Sequence, residues 1–317
     1  MPIITDNILE LPDGRRLGYA SYGPADGWPI LFFHGTPGSR HSAYLAGLLA
    51  EARGARTIAL DRPGYGLSDP HHGREIHDWP DDVAIAAELL GLERFSIFGY
   101  SGGGPFALAT AAAHPERVAS LTIVSGMGPL HTPESEARLS RRDRLVRFGM
   151  RRVPSAVRLT TWRKTREIQR DARGYLVERT RLAPEADRLQ METPAIQAVM
   201  LQDLRAALAQ GGRAMARELV LLASPWRFDL EEIAAPVHVW HGREDSVVPI
   251  WLAESLVAAM PRAKAHFIDE AGHLLLLDKM PEILDELLAA RDGERYVRPA
   301  AVVDPDAALL EPAAAGG

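Results

Sequence analysis

The 317-residue sequence contains no cysteine. Without a thiol, the chain cannot form a disulfide, ligate zinc through cysteine or use a thiolate as a nucleophile. The same absence says little about the compartment in which the protein works.

Excess charge and long apolar runs are also lacking. The net charge of −6 and the isoelectric point near 6.0 give no general reason to expect nucleic acid as a partner. Residues 1–7 lack the basic and apolar regions of a signal peptide, and no apolar stretch is long enough to cross a bilayer. We therefore expect a cytoplasmic protein without a membrane partner; its oligomeric state stays open. Residues 297–317, rich in alanine and proline, predict a disordered tail.

Short apolar runs alternate with helical stretches along most of the chain. Runs of this kind are typical of parallel strands buried on both faces, so they predict an α/β fold with a mostly parallel, doubly wound sheet. Before them, Asp13-Gly14 predicts a β-hairpin over residues 8–22, and the last helix is expected from about Pro281 to Ala290. The apolar runs are residues 29–33, 57–60, 95–98, 118–124, 237–240 and 265–268.

The alternation stops between residues 129 and 226. This stretch has no convincing strand, whereas Thr132-Pro133 and Thr193-Pro194 each place a capping hydroxyl before a proline at a first helical position. A structureless loop of that length is improbable in a compact domain. We therefore predict an all-helical cap over residues 129–226, inserted into a core of residues 1–128 and 227–296.

Residues 99–103 read Gly-Tyr-Ser-Gly-Gly and lie between an apolar strand and a helical stretch. Glycines two residues either side of Ser101 fit the sharp turn called a nucleophile elbow, in which side chains at Gly99 and Gly103 would collide with neighbouring elements. The turn would expose the hydroxyl at the positive end of the following helix. Because the pentapeptide alone is a weak signal, its context decides.

A serine nucleophile needs a base to accept its proton and a third group to orient that base. The run 237–240 is followed by Glu244 and Asp245, and the run 265–268 by His273. Open α/β sheets place their sites at these carboxyl ends of strands, and the order serine, acid, histidine is the one expected for such a fold.

Four motifs in this order resemble those of the α/β-hydrolase superfamily, over about residues 8–292 apart from the insertion. The resemblance implies Ser101 as nucleophile, Asp245 rather than Glu244 as the orienting acid, and His273 as general base. It also implies an oxyanion hole made by the backbone N–H groups of Thr36 and Gly102, with no metal or organic cofactor. The motifs are His34-Gly35-x-Pro37-Gly38, Gly99-x-Ser101-x-Gly103, Gly242-x-x-Asp245-x-x-Val248-Pro249 and Gly272-His273.

Other polar residues near these motifs are expected to be structural. His34 would tie loops together. Residues 61–69, which resemble a family loop, would brace the loop at residues 34–38 that carries Thr36, here called the oxyanion loop. His241, His266 and the pair His71-His72 are expected at the surface or in packing.

Acyl transfer to water is the first hypothesis for the reaction, with an ester or thioester of a small molecule as substrate. The loop at residues 34–38 and the cap position resemble the proline-iminopeptidase-like and C–C-bond hydrolase branches, so cleavage of a prolyl amide or a C–C bond is the alternative. A serine at position 101 argues against epoxide hydrolases and haloalkane dehalogenases, which need a carboxylate there. A ligand receptor on the same fold is a more distant alternative.

The predicted cap is basic. Residues 131–190 carry 15 arginines and Lys164 against 8 acidic residues, in a chain whose net charge is negative. Solvated helix faces account for such a composition; the alternatives are an anionic substrate or an acidic carrier protein that delivers a thioester. The insertion residues expected to face the sheet or the pocket are Trp162, Tyr175, Met200 and Trp226.

Overall fold

The structure is a computed structural model that describes residues 6–260 and 262–291. These residues form one eight-stranded sheet and twelve α-helices. The strands are β1 (Asp6–Glu10), β2 (Arg16–Tyr22), β3 (Trp28–Phe33), β4 (Ala55–Leu60), β5 (Phe95–Tyr100), β6 (Val118–Val124), β7 (Val237–Gly242) and β8 (Ala263–Ile268). The helices are α1 (Tyr44–Glu51), α2 (Trp79–Leu89), α3 (Gly104–Ala113), α4 (Pro133–Arg138), α5 (Arg141–Arg152), α6 (Pro154–Arg170), α7 (Ala172–Leu182), α8 (Glu185–Met191), α9 (Pro194–Ala207), α10 (Arg213–Leu222), α11 (Ile250–Ala258) and α12 (Leu276–Ala289).

The sheet has the strand order β1-β2-β4-β3-β5-β6-β7-β8. Strands β3 to β8 pair in parallel, and every residue of β3 to β7 is buried except the partly buried Tyr100, as their apolar sequences predict. Helices α1 and α12 pack on one face of the sheet, and α2, α3 and α11 on the other. The predicted doubly wound, mostly parallel α/β fold is therefore confirmed.

Strands β1 and β2 form the predicted hairpin at one edge of the sheet. They pair in antiparallel register, with Leu9 opposite Leu17. Gly14 in the connecting turn has a φ of +83°, a conformation that glycine adopts without the steric cost of a side chain. The Asp-Gly signal thus identified the turn correctly.

Helices α4 to α10 all lie between β6 and β7. Helices α6, α7, α9 and α10 contribute to a small apolar cluster around Tyr65, which lies in the loop after β4; Ile168, Leu176 and Leu204 are among its buried members. The division into core and cap at residues 129 and 226 stays a prediction, and residues 297–317 lie outside the described residues. No helix of the described residues is both long and apolar enough to cross a membrane.

Two expectations about individual residues are wrong. Trp162 was expected to face the sheet or the pocket, but it is 53% exposed. Trp226 is buried in the core between the sheet and helices α2, α3 and α11, and Tyr175 and Met200 pack on the apolar cluster around Tyr65. Helix α12 begins at Leu276 and includes Pro281 in its interior. Because the buried residues Leu276 and Met280 pack on the sheet, their burial outweighs the roughly 3 kcal/mol that an interior proline costs a helix.

Two glycines within helices offer a test of this packing. An added Cβ at Gly47 in α1 would lie 2.5 Å from the Tyr22 side chain, whereas a Cβ at Gly149 in α5 would have no neighbour within 4 Å. We expect Gly47→Ala to lower the free energy of unfolding by about 1–3 kcal/mol through overpacking. Gly149→Ala should raise it by about 0.5–1 kcal/mol through helix propensity. Equal effects in urea unfolding would contradict the close packing of α1 on β2.

Candidate active site

Ser101 lies in the sharp turn between β5 and α3. Its φ of +51° falls in the left-handed region, which non-glycine residues adopt only where the surrounding structure compensates the strain. An added Cβ at Gly103 would lie 2.2 Å from the Phe33 carbonyl oxygen, and one at Gly99 would lie 2.8 Å from the Ala107 Cβ. Glycine at both positions is therefore required by close contact with β3 and α3.

The three residues predicted as a triad are hydrogen-bonded to one another. His273 Nε2 lies 3.0 Å from Ser101 Oγ, and His273 Nδ1 lies 2.7 Å from Asp245 Oδ2. The other Asp245 oxygen accepts hydrogen bonds from the backbone N–H groups of Val247 and Val248, both at 2.8 Å. The side chain of Asp245 is fully buried, so its carboxylate is held in one orientation.

The structure distinguishes the two candidates for the orienting acid, Asp245 and Glu244. Asp245 points at His273, whereas the neighbouring Glu244 is exposed. His241, expected only in packing, is fully buried with its Nε2 3.3 Å from Asp245 Oδ2 and 2.8 Å from the Val248 carbonyl oxygen. Burial lowers the pKa of His241, so the ring is neutral and can donate its Nε2–H to that carbonyl.

Thr36 and Gly102, the predicted oxyanion residues, lie against each other beside Ser101. A Cβ at Gly102 would lie 3.1 Å from the Thr36 backbone nitrogen and 2.4 Å from Thr36 Oγ1. Glycine at position 102 therefore lets the two backbone segments approach closely. Gly102 also belongs to the turn that leads into α3, whose N-terminal end favours negative charge.

The loop after β4 braces the oxyanion loop, as predicted, chiefly through Arg62. Its guanidinium donates hydrogen bonds to the carbonyl oxygens of His34 and Gly35, at 2.5 and 3.0 Å. The Arg62 backbone N–H donates to His34 Nε2 at 3.1 Å. Burial, helped by the charge of Arg62, lowers the pKa of His34 well below its usual value, so the ring is a neutral structural link between the loops.

Glu218 on α10 completes this brace, and our sequence analysis did not identify it. Its fully buried carboxylate accepts hydrogen bonds from Arg62, Arg74, Tyr65 and Thr36 at 2.6–3.0 Å. Burial alone would raise the pKa of Glu218, but the two guanidinium groups outweigh it and hold this pKa well below its usual range. The Thr36 hydroxyl is thereby fixed to a helix of the insertion.

Two further carboxylates from the insertion hold loops of the site. Asp187 on α8 accepts the backbone N–H groups of His273 and Leu274, at 3.0 and 2.7 Å. Asp203 on α9 accepts both the backbone N–H and the hydroxyl of Ser39, at 2.8 and 2.7 Å. Burial raises the pKa of Asp203 to about 7. The insertion thus sets the position of the base and of the chain that follows the oxyanion loop.

One signal for Glu218 was present in the sequence. Glu218 falls three and four positions before Leu221 and Leu222, which is the spacing of one helix face, and all three residues are buried. An acid on an apolar face predicts a buried partner of opposite charge, but it does not say which of the 36 basic residues provides it.

Glu218→Gln tests the buried brace. The variant keeps the shape of the side chain but leaves Arg62 and Arg74 without a counter-charge, so we expect the free energy of unfolding at pH 7 to fall by about 3–5 kcal/mol. Since folding lowers the pKa of this carboxyl, its contribution is present above about pH 4.3, the unfolded value, and is lost as the pH falls towards the folded value.

The free energy of unfolding should therefore differ between wild type and Glu218→Gln by a constant amount from pH 7 to about pH 5. Below about pH 4.3 this difference should become smaller. Glu282→Gln serves as the control, because Glu282 forms an exposed ion pair with Lys279 and should change stability little. Urea unfolding at several pH values measures both variants. A difference that widens with falling pH would contradict the ionised state of Glu218.

A family model and some relatives match most of this chain, whereas other relatives match little more than a third of it. A family model described as the alpha/beta hydrolase fold matches residues 29–280. A non-heme chloroperoxidase of Streptomyces lividans is 39% identical over 120 residues, which are 37% of this chain and 44% of that protein. A 2-hydroxymuconate semialdehyde hydrolase of Pseudomonas putida is 26% identical over 294 residues, covering 88% of this chain and 95% of that relative.

Solved structures share the fold of this chain. An esterase from Exiguobacterium antarcticum superimposes with a TM-score of 0.68 at 19% identity, covering 91% of this chain and all of that one. A structure described as an N-acyl homoserine lactone degrading enzyme has a TM-score of 0.61 at 26% identity, covering 89% and 98% of the two chains. By the match of the family model to residues 29–280, this chain belongs to the α/β-hydrolase family.

Proposed function

We propose that the protein is a serine hydrolase that cleaves a carboxylic ester or thioester of a small molecule through an acyl-enzyme. The observation that carries this proposal is the hydrogen-bonded series Ser101, His273 and Asp245, with distances of 3.0 and 2.7 Å. Such a series is suited to making a serine hydroxyl nucleophilic.

In the acylation step, Ser101 Oγ attacks the carbonyl carbon of the substrate and its proton passes to His273 Nε2. The buried Asp245 accepts the Nδ1–H of His273, which fixes the tautomer and stabilises the imidazolium that forms. Negative charge develops on the former carbonyl oxygen, and the backbone N–H groups of Thr36 and Gly102 are proposed to bind it. Each such donor is worth roughly 3 kcal/mol of transition-state stabilisation.

Collapse of the tetrahedral intermediate breaks the bond to the leaving alcohol or thiol, which takes the proton from His273. Water then attacks the acyl-enzyme while His273 accepts its proton, and the acid is released as Ser101 recovers its hydrogen. Every step uses side chains and backbone groups of the chain itself.

A second candidate is hydrolysis of a C–C bond. The relative that carries the semialdehyde hydrolase name aligns with 88% of this chain, far more than the 37% covered by the chloroperoxidase match. Comparison of kcat/KM for 2-hydroxymuconate semialdehyde, a p-nitrophenyl ester, a thioester and a prolyl amide decides between the two candidates. Steady multiple turnover on any of them excludes a receptor that only binds its ligand.

The neighbouring acids Glu244 and Asp245 allow a matched pair of variants that tests the proposed triad. We expect Ser101→Ala and Asp245→Asn each to lower kcat on a p-nitrophenyl ester by about 10⁴-fold, whereas Glu244→Gln leaves kcat unchanged because its side chain is exposed. A fluorophosphonate probe should label wild type and Glu244→Gln, but not Ser101→Ala. Ordinary turnover by folded Ser101→Ala protein, checked by circular dichroism, would refute the proposed nucleophile.

The basic residues 131–190 suggest an anionic substrate, free or bound to a carrier. Five of these basic side chains, Arg138, Arg147, Lys164, Arg181 and Arg188, pair with carboxylates, while Arg141 and Arg142 at the start of α5 are exposed. A positive field near the site would speed the arrival of an anion and so raise kcat/KM more than kcat.

The dependence of kcat/KM on salt concentration tests whether this positive field acts on the substrate. Screening lengths fall from about 30 Å at 0.01 M to about 10 Å at 0.1 M salt, so kcat/KM for an anionic ester should drop over that range. A neutral ester of similar shape is the control and should barely respond. Reversal of Arg141 and Arg142 to glutamate should reproduce the salt effect. Equal salt dependence of the two esters would assign these arginines to solvated helix faces.

A further inference from the structure

Three metal-ligating side chains converge on the α12 side of the sheet, apart from the proposed triad. His238 lies on β7, His266 on the edge strand β8 and Glu286 on α12. His238 Nδ1 lies 3.2 Å from His266 Nε2, and Glu286 Oε2 lies 2.8 Å from His266 Nε2 and in contact with His238 Nδ1. Two imidazole nitrogens and a carboxylate oxygen, contributed by three separate elements, therefore meet at one point.

The contacts of the carboxylate are not those of an ordinary hydrogen-bonded cluster. Glu286 Oε2 is buried and close to both rings, yet it makes no hydrogen bond of acceptable geometry to any residue that the structure describes. A buried carboxylate oxygen without a donor is costly. A bound cation is one partner that would satisfy such an oxygen.

We propose that His238, His266 and Glu286 bind a divalent first-row metal ion, with Zn²⁺ as the best match. Imidazole nitrogen and carboxylate oxygen are both common zinc ligands, at about 2.0–2.2 Å, and three protein ligands with one further position complete a tetrahedral site. Bonds of that length around a tetrahedral centre place neighbouring ligand atoms about 3.3 Å apart. The ring nitrogens already have nearly this separation, at 3.2 Å.

Both imidazole rings are held in place by their surroundings. Trp240 stacks on His266 with ring centroids 4.0 Å apart and an interplanar angle of 8°. The side chain of His238 is only 9% exposed, whereas that of Glu286 is 37% exposed. The two rings are therefore pre-positioned, while the more exposed glutamate is the ligand that can move outward to admit the ion.

The site would connect the elements that flank the proposed general base. Residues 269–275, which carry His273, run directly from the end of β8 to the start of α12. A metal ion bound to His266 and Glu286 would join β8 to α12, the elements on either side of this segment, and His238 would attach both to β7. The ion would act on stability and on the placement of His273 rather than on the chemistry at Ser101.

Zn²⁺ binding to the full chain tests the proposal. The protein is stripped with EDTA, dialysed and titrated with Zn²⁺ by calorimetry, and thermal unfolding is measured with and without the ion. We expect one ion per chain, with an increase in Tm of a few degrees when Zn²⁺ is at about 100 times its Kd. Glu286→Gln and His266→Gln should each weaken binding at least tenfold, and both avoid the nearly buried His238.

His72→Gln is the matched control, because it removes an exposed histidine outside the cluster and should bind Zn²⁺ like wild type. If only one of the two ligand variants folds, that variant suffices for the comparison. Absence of saturable binding at micromolar Zn²⁺ would overturn the proposal. So would equal affinity in wild type, His72→Gln and the ligand variants, since the ion would then be bound elsewhere on the chain.

Discussion

The buried ion pair of Arg62 and Glu218 is the constraint on which the rest of the site depends. Neither side chain is exposed, so separating them would leave a charge in the interior, at a cost of several kcal/mol. Arg62 also holds the carbonyl oxygens of His34 and Gly35, and Glu218 holds the Thr36 hydroxyl. The oxyanion loop therefore cannot move independently of either β4 or α10.

The same principle recurs at the other loops of the site. The helices between β6 and β7 supply none of the proposed triad, yet Asp187 holds the backbone at His273 and Asp203 holds Ser39. A carboxylate that accepts two donors from one loop fixes its position with little freedom of rotation. The strand ends and the loops after them thus carry the proposed triad, and the inserted helices hold the loops on which these residues lie.

The sequence predicted those features that depend on neighbouring residues. The elbow at Ser101 follows from glycines two positions away, and the strand ends that carry Asp245 and His273 follow from apolar runs next to them. Glu218 was missed because its partner Arg62 lies 156 residues away, and no local pattern encodes that distance. Trp162 and the start of α12 were misjudged for the same reason, since tertiary packing decides both.

The separation between the proposed triad at the strand ends and the inserted helices around it affects which substrate the protein can select. The proposed triad and the two proposed oxyanion donors would suit several carbonyl reactions, because each passes through a tetrahedral intermediate with an oxyanion. Discrimination between an ester, a thioester and a substrate with a cleavable C–C bond must then come from groups around the substrate rather than from Ser101. The helices α4 to α10 hold the loops of the site and carry most of the basic charge. Substitutions there should shift the ratio of kcat/KM between substrates while the triad itself stays the same, and this ratio separates specificity from catalytic competence.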